Sequence, residues 1–327
     1  MKNIVIIGGG TGTFTLLKGL REFPTNNAVI VSTADDGGSG GALRNAYDVI
    51  PPGDFRQCLV GLSYTDEALK NIFQFRFAKG PLAGHTVGNI LLTAAELETG
   101  DAEHAIAVCA RLLNVRGEII PVSKRQTVLS AKLDNGKILK GEHIIDEPQV
   151  QKSYRIKQLS LSPTGPVNPK ALGAIKHADA IVFGPGDLFT SVIPSLLVKG
   201  VKEAVIASGA KKILVTNIMT KFGQTNGFVA SDFLTQLEKY IGKAGVISEI
   251  IVNSEKPAMN FLKNYNKEKS EFVKVDSAHL GSMGVVVITA KLVSKEKPKK
   301  IKGDVLNRSV LRHDSNKLAK IIWQLVQ

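Results

Sequence analysis

The residues with the clearest chemical potential form a glycine-rich turn near the beginning of the chain. The segment Gly8-Gly-Gly-Thr-Gly12 follows an apolar, β-branched run at residues 4–7 and precedes an apolar helical pattern. Glycine lets the backbone approach a ligand closely, and the free N–H groups and the dipole at a helix start attract anions. The turn therefore predicts a phosphate-binding loop. Its candidate ligand-binding residues are Gly8, Gly9, Gly10, Thr11 and Gly12.

The match of this loop to known nucleotide-binding motifs is partial. Gly8 and Gly10 fit the first two glycines of the dinucleotide motif, but Thr13 stands where the third glycine would pack the helix against the strand. A P-loop is disfavoured more clearly, because no Gly-Lys-Ser/Thr triplet follows at the required spacing. A turn that only joins a strand to a helix remains the alternative.

A second candidate site follows the next strand, in the segment Asp35-Asp-Gly-Gly-Ser-Gly-Gly41, which is predicted to be too rich in glycine for a helix. Carboxylates on such a backbone can hold Mg²⁺ together with a nucleotide diphosphate, or accept hydrogen bonds from sugar hydroxyl groups. Consecutive side chains rarely point the same way, so we expect one functional and one structural aspartate. A polar turn capped by its own aspartates is the alternative. The candidate residues are Asp35, Asp36, Gly37, Gly38 and Ser39, with Asp35 and Asp36 as the candidate metal ligands.

The segment Pro51-Pro-Gly-Asp-Phe-Arg56 places both signs of charge at another predicted helix start. Asp54 is predicted to be the N-cap residue of this helix. Arg56 would then lie in the first turn, where a cation is unfavourable for the helix dipole. Arg56 or Arg44 could instead contact a phosphate through two hydrogen bonds, and a surface ion pair is an equally weighted alternative.

His85 and Asn89 lie at the start of a further predicted helix, in the segment Gly84-His-Thr-Val-Gly-Asn89. An imidazole in this position could act as a general acid or base. Histidines at helix starts more often cap or pack, and no serine or cysteine stands out as a nucleophile beside it. The six histidines of the sequence also show no metal-ligand spacing.

A second transition from strand through glycines to helix occurs at Gly184-Pro-Gly186, and polar residues follow the next strand as well. The hydroxyl groups of Thr190 and Ser191 could donate to a phosphate, although both residue types are also ordinary at helix starts. The carboxyl ends of parallel strands lie at one edge of a sheet, so these loops predict a single crevice. The candidate residues are Gly184, Pro185, Gly186, Asp187, Thr190, Ser191, Asn217, Met219 and Thr220.

The apolar runs before these loops predict a Rossmann-like, doubly wound α/β fold with a mainly parallel sheet. Such continuous runs are typical of strands that helices cover on both faces. Residues 118–161 differ, because two short alternating segments flank Asp134-Asn-Gly136, a strong hairpin signal. We therefore predict a core of residues 1–117 and 162–327 with a small β-rich insert at 118–161. The predicted strands are 4–7, 28–32, 180–183, 213–216, 247–252 and 285–288 in the core and 127–133 and 137–145 in the insert.

The end of the chain predicts an amphipathic helix, Ser315–Val326, with Ser315 as its N-cap residue. Leu318, Ile321 and Ile322 lie on one face of this helix. A phosphate is favourable at a helix start, so Ser315 is also a candidate phosphorylation site. Plain capping is the favoured interpretation.

Composition and charge limit the class of protein. The 327 residues carry a formal net charge of +13, which favours phosphorylated ligands and raises nucleic acid as a partner. The densest basic segment, residues 295–302, contains a proline and no aromatic residue, so a solvated loop is favoured over nucleic-acid binding. No apolar run could span a bilayer, no leader pattern is present, and Cys58 and Cys109 are predicted to be buried free thiols. We therefore expect a cytoplasmic protein without membrane insertion.

Taken together, six ordered motifs resemble the CofD-like superfamily and, within it, the gluconeogenesis-factor branch. The resemblance covers nearly the whole chain and extends to Arg312-His-Asp-Ser315 before the last helix. The motifs are Gly8-Gly-Gly-Thr-Gly12, Ala34-Asp-Asp-Gly-Gly-Ser39, Pro51-Pro-Gly-Asp-Phe-Arg56, Ala83-Gly-His-Thr-Val-Gly-Asn89, Gly184-Pro-Gly186 and Asn217-Ile-Met-Thr220.

The resemblance implies a Rossmann-like core with a smaller inserted domain, and it implies two functions. Transferase members of the superfamily move a phospholactyl group from a nucleotide diphosphate donor to a deazaflavin, using Mg²⁺. Members of the other branch resemble regulators that bind nucleotide sugars, typically UDP-N-acetylglucosamine, and link carbon metabolism to cell-wall synthesis and cell shape. The Pro-Pro-Gly-Asp-x-Arg segment favours this regulatory branch, which would act through protein partners rather than as an enzyme. A homo-oligomer is an open alternative to a monomer.

The resemblance also implies roles for individual residues. Residues 8–11 and 184–186 would hold the diphosphate. Arg56 and Arg312 would supply positive charge. The floor of the site would be lined by His85 and Asn89.

Three places depart from the usual pattern of the branch. Ala42 stands at a position that usually holds an arginine able to meet phosphate. Asp187 stands at a usual serine and would add negative charge beside an anion site. Lys221-Phe-Gly-Gln-Thr225, which includes Gln224, replaces the usual Gln-Pro-Gly-Glu-Thr.

Overall fold

The structure is a computed structural model that describes residues 1–147, 154–258, 265, 268–296 and 311–327. Its strands are β1 (Lys2–Ile7), β2 (Thr25–Val31), β3 (Glu118–Pro121), β4 (Val128–Leu133), β5 (Ile138–Lys140), β6 (Ile156–Ser162), β7 (Ala180–Phe183), β8 (Lys211–Val215), β9 (Glu249–Asn253) and β10 (Val286–Ala290). Seven of them form a sheet in the order β10-β9-β8-β7-β1-β2-β3. Every neighbouring pair in this sheet is parallel, which confirms the predicted fold class.

Helices cover both faces of the seven-stranded sheet. The described helices are α1 (Gly10–Leu20), α2 (Gly38–Tyr47), α3 (Pro52–Leu62), α4 (Glu67–Gln74), α5 (Val87–Thr99), α6 (Ala102–Leu112), α7 (Glu142–Asp146), α8 (Pro169–Lys176), α9 (Ile193–Leu196), α10 (Val201–Ala207), α11 (Ala230–Ile241), α12 (Ser277–Ser282) and α13 (Ser315–Val326), with a π-helical turn at Leu188–Val192. Ile4 and Ile6 of β1 share an apolar cluster with α1, α3 and α13, whereas Val5 and Ile7 share the opposite cluster with α8 to α11. Successive side chains of a strand point to opposite faces, so burial on both faces accounts for the continuous apolar run of β1.

The outermost strand, β10, differs from its prediction. The run at residues 285–288 predicts a buried strand, but β10 comprises Val286–Ala290 and lies at the edge of the sheet. Val286 is 59% exposed. No residue of β10 is fully buried, so the apolar run indicates a strand but does not by itself establish burial.

A separate three-stranded antiparallel sheet has the order β5-β4-β6, and β4 and β5 form the predicted hairpin across Asp134-Asn-Gly136. The second hairpin strand is shorter than predicted, because Gly141 adopts a φ of 102° and the chain then forms α7. β3 lies inside the range 118–161 but pairs with β2 in the large sheet, and β6 extends to Ser162. The division into a core and an insert domain remains a prediction. We refer to β4, β5, β6 and α7 as the insert.

Three helix starts differ from the predictions. α2 begins at Gly38, inside the segment predicted to be too rich in glycine, because burial of residues 39–41, 43 and 44 overrides the low helix propensity. α3 begins at Pro52, which suits the first helical position, so Asp54 lies in the first turn and not at the N-cap. α13 has Asp314 as its N-cap residue, and the Asp314 side chain accepts a backbone hydrogen bond. The prediction that Ser315 is the N-cap is therefore wrong.

The two cysteines are buried free thiols, as predicted. Cys58 lies on α3 and Cys109 on α6. Burial raises the pKa of the Cys58 thiol well above its usual range and that of Cys109 to about 11. Both thiols are therefore protonated at neutral pH.

Two further predictions concern membrane insertion and a basic loop. No helix among the described residues is long and apolar enough to cross a membrane. The predicted basic loop at 295–302 falls mostly outside the described residues, which end at 296 in this region.

Candidate functional site

The carboxyl ends of β1 and β7 form the centre of the candidate site. The two strands are neighbours, but the chain proceeds from β1 to β2 on one side and from β7 to β8 on the other. α1 and α9, which follow these two strands, belong to the apolar clusters of opposite faces. Doubly wound proteins bind ligands in the crevice that such a reversal of strand order leaves open. Both predicted glycine loops therefore border one crevice.

The two glycine loops contact each other directly. The Thr13 hydroxyl group donates a hydrogen bond of 3.3 Å to the carbonyl oxygen of Pro185. A Cβ atom on Gly12 would lie 2.4 Å from the same oxygen, so a side chain has no room there. A Cβ atom on Gly186 would lie 3.4 Å from the carbonyl oxygen of Gly9. Thr13, which departs from the dinucleotide motif, thus ties the two loops together.

The carboxylate of Asp54 occupies the start of α1. It accepts a hydrogen bond from the N–H group of Gly10, and a Cβ atom on Gly9 would lie 2.0 Å from its Oδ2 atom. The first turn of α1 contains no acidic residue of its own. Asp54 on α3 therefore supplies the negative charge that this end of the helix dipole favours. An anionic ligand at this loop would have to share these donors with Asp54 or replace it.

The adjacent carboxylates of Asp35 and Asp36 point to different neighbours. Asp35 Oδ1 accepts a hydrogen bond of 2.9 Å from the Gly37 N–H group, and a Cβ atom on Gly53 would lie 3.1 Å from Asp35 Oδ2. Asp36 Oδ1 accepts a hydrogen bond of 2.7 Å from the backbone N–H group of His143 on α7. Asp35 thus lies against the start of α3, whereas Asp36 holds the insert. Within the described ranges, no three His, Cys, Asp or Glu side chains are grouped to hold a metal ion.

Burial and mutual repulsion raise the pKa values of the crevice carboxylates. Burial and then the charge of Asp35 raise the pKa of Asp54 to about 7, although Arg56 opposes this rise. Burial likewise raises the pKa of Asp35 to about 6. Glu142 on α7 has a pKa well above its usual range, because it is buried beside Asp35 and other carboxylates. The crevice therefore contains carboxyl groups that exchange protons near neutral pH.

We expect Asp54→Asn to be more stable than the parent protein above pH 7. The raised pKa means that the folded protein holds this proton more tightly than the unfolded chain does between about pH 4 and pH 7. Stability is therefore lost as the pH rises through this interval. Asparagine keeps an oxygen acceptor for Gly10 but cannot ionise, so the variant should be more stable by about 1–2 kcal/mol at pH 8.

Urea unfolding at pH 5 and pH 8 measures this difference. Asp134→Asn, in the exposed β4–β5 turn, is the matched control and should follow the parent protein at both pH values. If Asp54→Asn lost as much stability between the two pH values as the parent does, the raised pKa of Asp54 would be contradicted.

Arg44 is buried and bonded to protein acceptors. Its Nε atom donates to Gln126 Oε1 over 2.9 Å, its Nη1 atom to the Asp35 carbonyl oxygen over 2.9 Å, and its Nη2 atom to the Thr127 carbonyl oxygen over 2.7 Å. These bonds join the Asp35 loop to the segment that leads into β4. In this arrangement Arg44 positions the backbone of Asp35, and its contact with a phosphate stays a prediction.

Four predicted site residues form one hydrogen-bonded chain. Arg56 Nε donates to Asn89 Oδ1 over 2.8 Å, and Asn89 Nδ2 donates to Ser39 Oγ over 3.0 Å. Ser39 Oγ in turn lies 3.1 Å from His85 Nδ1. Arg56 and Asn89 are both buried, so the alternative of a surface ion pair for Arg56 is wrong. The N-cap residue of α5 is Thr86, so the His85 ring does not cap this helix and can belong to the series of hydrogen bonds that begins at Arg56.

Lys221 is a cation that lies between the second glycine loop and the insert. Its Nζ atom donates to Asp187 Oδ2 over 2.7 Å and also to Asp146 Oδ1 on α7. Asp146 Oδ1 accepts a further bond of 2.9 Å from Gln224 Nε2 and faces the Thr190 hydroxyl at 3.5 Å. Burial lowers the pKa of Lys221, but Asp187 and Asp146 together raise it above its usual range. Lys221 thus offsets the negative charge of Asp187 while it also pairs with Asp146.

Sequence reasoning missed three charged residues of this region. Lys221 stands out in the sequence only as part of a departure from the family pattern. Glu142 lies within the segment 137–145 that is predicted to be a strand, and Asp146 directly follows that segment. The helix α7 brings Asp146 into contact with Lys221 and Glu142 close to Asp35. Their only signal in the sequence was the Gly141-Glu pair, which is also a plausible strand end.

The residues after β8 contribute mainly to the fold. Met219 belongs to a small apolar cluster with Ile218 and Leu311. The Thr220 hydroxyl accepts a hydrogen bond of 2.8 Å from the backbone N–H group of Glu271. These contacts fix the segment that continues into Lys221.

The remaining predicted residues lie around the crevice. Asn217 and Ser191 are half-buried, and a Cβ atom on Gly186 would lie 3.5 Å from Ser191 Cβ. Arg312 is half-buried, and its carbonyl oxygen accepts a hydrogen bond of 2.8 Å from the Ser294 N–H group. Their predicted contacts with a ligand stay predictions.

The chain is similar to known proteins over nearly its full length. The CofD family, described as 2-phospho-L-lactate transferase CofD, matches residues 4–293. A gluconeogenesis factor of Halalkalibacterium halodurans is 41% identical over 326 residues, which cover 99% of this chain and 96% of that protein. The gluconeogenesis factor of Bacillus subtilis is 38% identical over 327 residues, covering 99% and 98% of the two chains.

The fold agrees with these matches. A crystal structure of a UPF0052 family member from Bacillus halodurans has a TM-score of 0.90 and 40% identity to this chain. The similarity covers 98% of this chain and 99% of that one. The chain therefore belongs to the CofD family, within its gluconeogenesis-factor branch.

Proposed function

We propose that this protein is a cytoplasmic regulator that binds a nucleotide sugar of the UDP-N-acetylglucosamine type in the crevice between the glycine loops. It links carbon metabolism to cell-wall synthesis and cell shape through protein partners. The observation that carries the proposal is the direct contact of two glycine loops at the carboxyl ends of β1 and β7. Loop N–H groups and the start of α1 are the donors that a diphosphate requires.

The proposal gives the neighbouring residues distinct tasks. Residues 8–11 and 184–186 hold the diphosphate. The bonded chain that runs from Arg56 to His85 offers fixed polar groups to the sugar hydroxyls. Repulsion between the diphosphate and the nearby carboxylates is reduced where these carry protons, as the raised pKa of Asp54 allows.

Mg²⁺ fits this site only when the nucleotide diphosphate is bound as well. Mg²⁺ is usually held by one or two carboxylates plus phosphate oxygens and water. Asp35 is the predicted metal ligand that lies beside the first-turn residues of α3, whereas Asp36 is engaged by the insert. Asp35 would therefore hold the ion, which would neutralise charge on the diphosphate.

A thermal-shift screen tests the proposed ligand. The protein is heated with UDP-N-acetylglucosamine, UDP-glucose, GTP or NAD, each with and without Mg²⁺. A ligand at about one hundred times its Kd should stabilise the fold by about 2.7 kcal/mol. Selective stabilisation by a UDP-sugar is the expected result. Stabilisation by none of the UDP-sugars would contradict the proposal.

The second candidate function is transfer of a phospholactyl-type group from a nucleotide diphosphate donor with Mg²⁺. It is favoured by the family match, whose description names such a transferase, and by titratable carboxyl groups beside a phosphate-type loop. Product formation with a deazaflavin acceptor, the donor and Mg²⁺ would establish it. Donor binding without turnover would exclude it in favour of the regulator.

A further inference from the structure

A groove of about 500 Å³ lies between the insert and the helices α9, α10 and α11. Its walls include Lys157 on β6, Lys199 and Lys202 around the start of α10, and Lys239 near the end of α11. Among the described residues that line it, none belongs to the nucleotide crevice. The groove is therefore a separate feature of the molecule.

Hydrogen bonds hold the walls of this groove together. Tyr240 Oη accepts a hydrogen bond of 2.8 Å from the backbone N–H group of Leu159. Lys239 Nζ donates a hydrogen bond of 2.9 Å to the carbonyl oxygen of Lys157. Both bonds join β6 to α11, and the half-buried side chains of Leu197 and Tyr240 contribute an apolar floor. The groove is thus already formed before a partner binds, which lowers the entropic cost of binding.

The four lysines give the groove a positive charge that the described part of the protein does not neutralise. All four residues are exposed, and none of them pairs with a carboxylate in the described ranges. The described lining contains no aspartate or glutamate. An anionic partner would relieve the mutual repulsion of these ammonium groups.

We propose that this groove is the docking site for an acidic segment of a partner protein, in which carboxylates alternate with apolar side chains. The carboxylates meet the lysines, and the apolar side chains pack on Leu197 and Tyr240. The concave shape does not match a flat bilayer, and the volume is too small for a nucleic-acid duplex. A few residues of protein fit both the shape and the combination of charge with an apolar floor.

An alternative explanation for the lysines of the groove is protection of a sheet edge. β6 is an outer strand, and lysine side chains on outer strands prevent edge-to-edge association. Only Lys157 of the four lies on β6, so edge protection does not account for Lys199, Lys202 and Lys239. The proposal goes beyond the nucleotide-sugar function and does not require an occupied crevice.

Fluorescence anisotropy with short labelled peptides and the full chain tests this proposal. The probe alternates glutamate with leucine, and the comparison peptides alternate glutamate with serine or lysine with leucine. Lys199→Glu/Lys202→Glu reverses two charges of the groove. Lys132→Glu/Lys137→Glu, at exposed positions of the β4–β5 hairpin, makes the same change in net charge outside it.

We expect the Glu/Leu peptide to lose at least about tenfold in affinity for the groove variant and less than about twofold for the hairpin variant. The Glu/Ser peptide should bind the parent protein more weakly, and added salt should weaken all binding. Circular dichroism melting shows whether the variants are folded. If the charge reversal unfolds the protein, the single variants Lys199→Gln and Lys202→Gln replace it.

Several results would overturn the proposal. These are no binding of the Glu/Leu peptide, an equal loss in both double variants, or tighter lysine-dependent binding of single-stranded RNA or of phosphatidylserine vesicles. The UDP-sugar thermal shift is measured on the same variants and should not change. A failure of nucleotide binding therefore leaves the docking result interpretable, and the reverse also holds.

Discussion

Gly12→Ala is expected to lower the free energy of unfolding by about 2 kcal/mol and to abolish nucleotide-sugar binding in the crevice. A Cβ atom at this position would lie 2.4 Å from the carbonyl oxygen of Pro185 and 2.7 Å from its carbonyl carbon. Both are backbone atoms, so rotation of a side chain cannot relieve the overlap. The loops must move apart, which also strains the hydrogen bond from Thr13. Because the two loops are proposed to hold one diphosphate, their separation removes donors from it.

Gly173→Ala is the matched control for this substitution. Gly173 lies within α8, and a Cβ atom there would meet no heavy atom within 4 Å. Alanine should stabilise this helix by about 0.5–1 kcal/mol and leave ligand binding unchanged. Urea unfolding measures stability, and the thermal shift with UDP-N-acetylglucosamine measures binding. If Gly12→Ala matched the parent protein in both stability and ligand binding, the close contact between the two loops would be contradicted.

The glycine loops and the parallel sheet could be predicted because their signals are local. Strand, glycine turn and helix start follow one another within a short stretch, and the apolar runs of β1 and β7 reflect helices on both faces. Boundaries were predicted less well. α2 shows why, since its glycine-rich beginning opposes a helix and burial of residues such as Leu43 and Arg44 offsets that preference.

The contacts that build the site could not be predicted because they join residues distant in sequence. Arg56 and Asn89 are 33 positions apart, and Lys221 and Asp146 are 75 apart. The spacing of charged residues along the sequence does not indicate which residues they will contact. The motifs therefore indicate which residues gather at the crevice. The fold determines which of these residues bond to one another and which of them bond to residues of the insert.

Asp187 illustrates this difference between a motif and its environment. As an isolated departure from the family pattern, it predicts added negative charge beside an anion site. In the structure Lys221, at a second departure, donates a hydrogen bond to Asp187. The two departures compensate each other in charge and connect the second glycine loop to α7 through Asp146. The effect of Asp187 on the charge of the crevice therefore depends on Lys221.

Arg56→Met is expected to lower the free energy of unfolding by about 3 kcal/mol at pH 7, since a buried charged donor is lost. Arg56 is 4% exposed, and methionine fills most of its volume without its charge. Asn89 Oδ1 loses the donor that lies 2.8 Å away. The loss of this cation should also raise the pKa of Asp54 further, because Arg56 opposes the rise caused by burial and Asp35.

Arg111→Met and Arg56→Lys separate the possible causes of this effect. Arg111 is exposed on α6, so its replacement should change stability by no more than about 0.5 kcal/mol. Lysine at position 56 keeps the positive charge beside Asp54 but loses the planar set of donors, so its stability should fall between those of Arg56→Met and the parent. Urea unfolding of the three variants gives this order. Equal stability of Arg56→Met and Arg111→Met would mean that the bonded chain from Arg56 to His85 contributes nothing to the fold, and its residues would then be held in place only by the packing of α3 against α5.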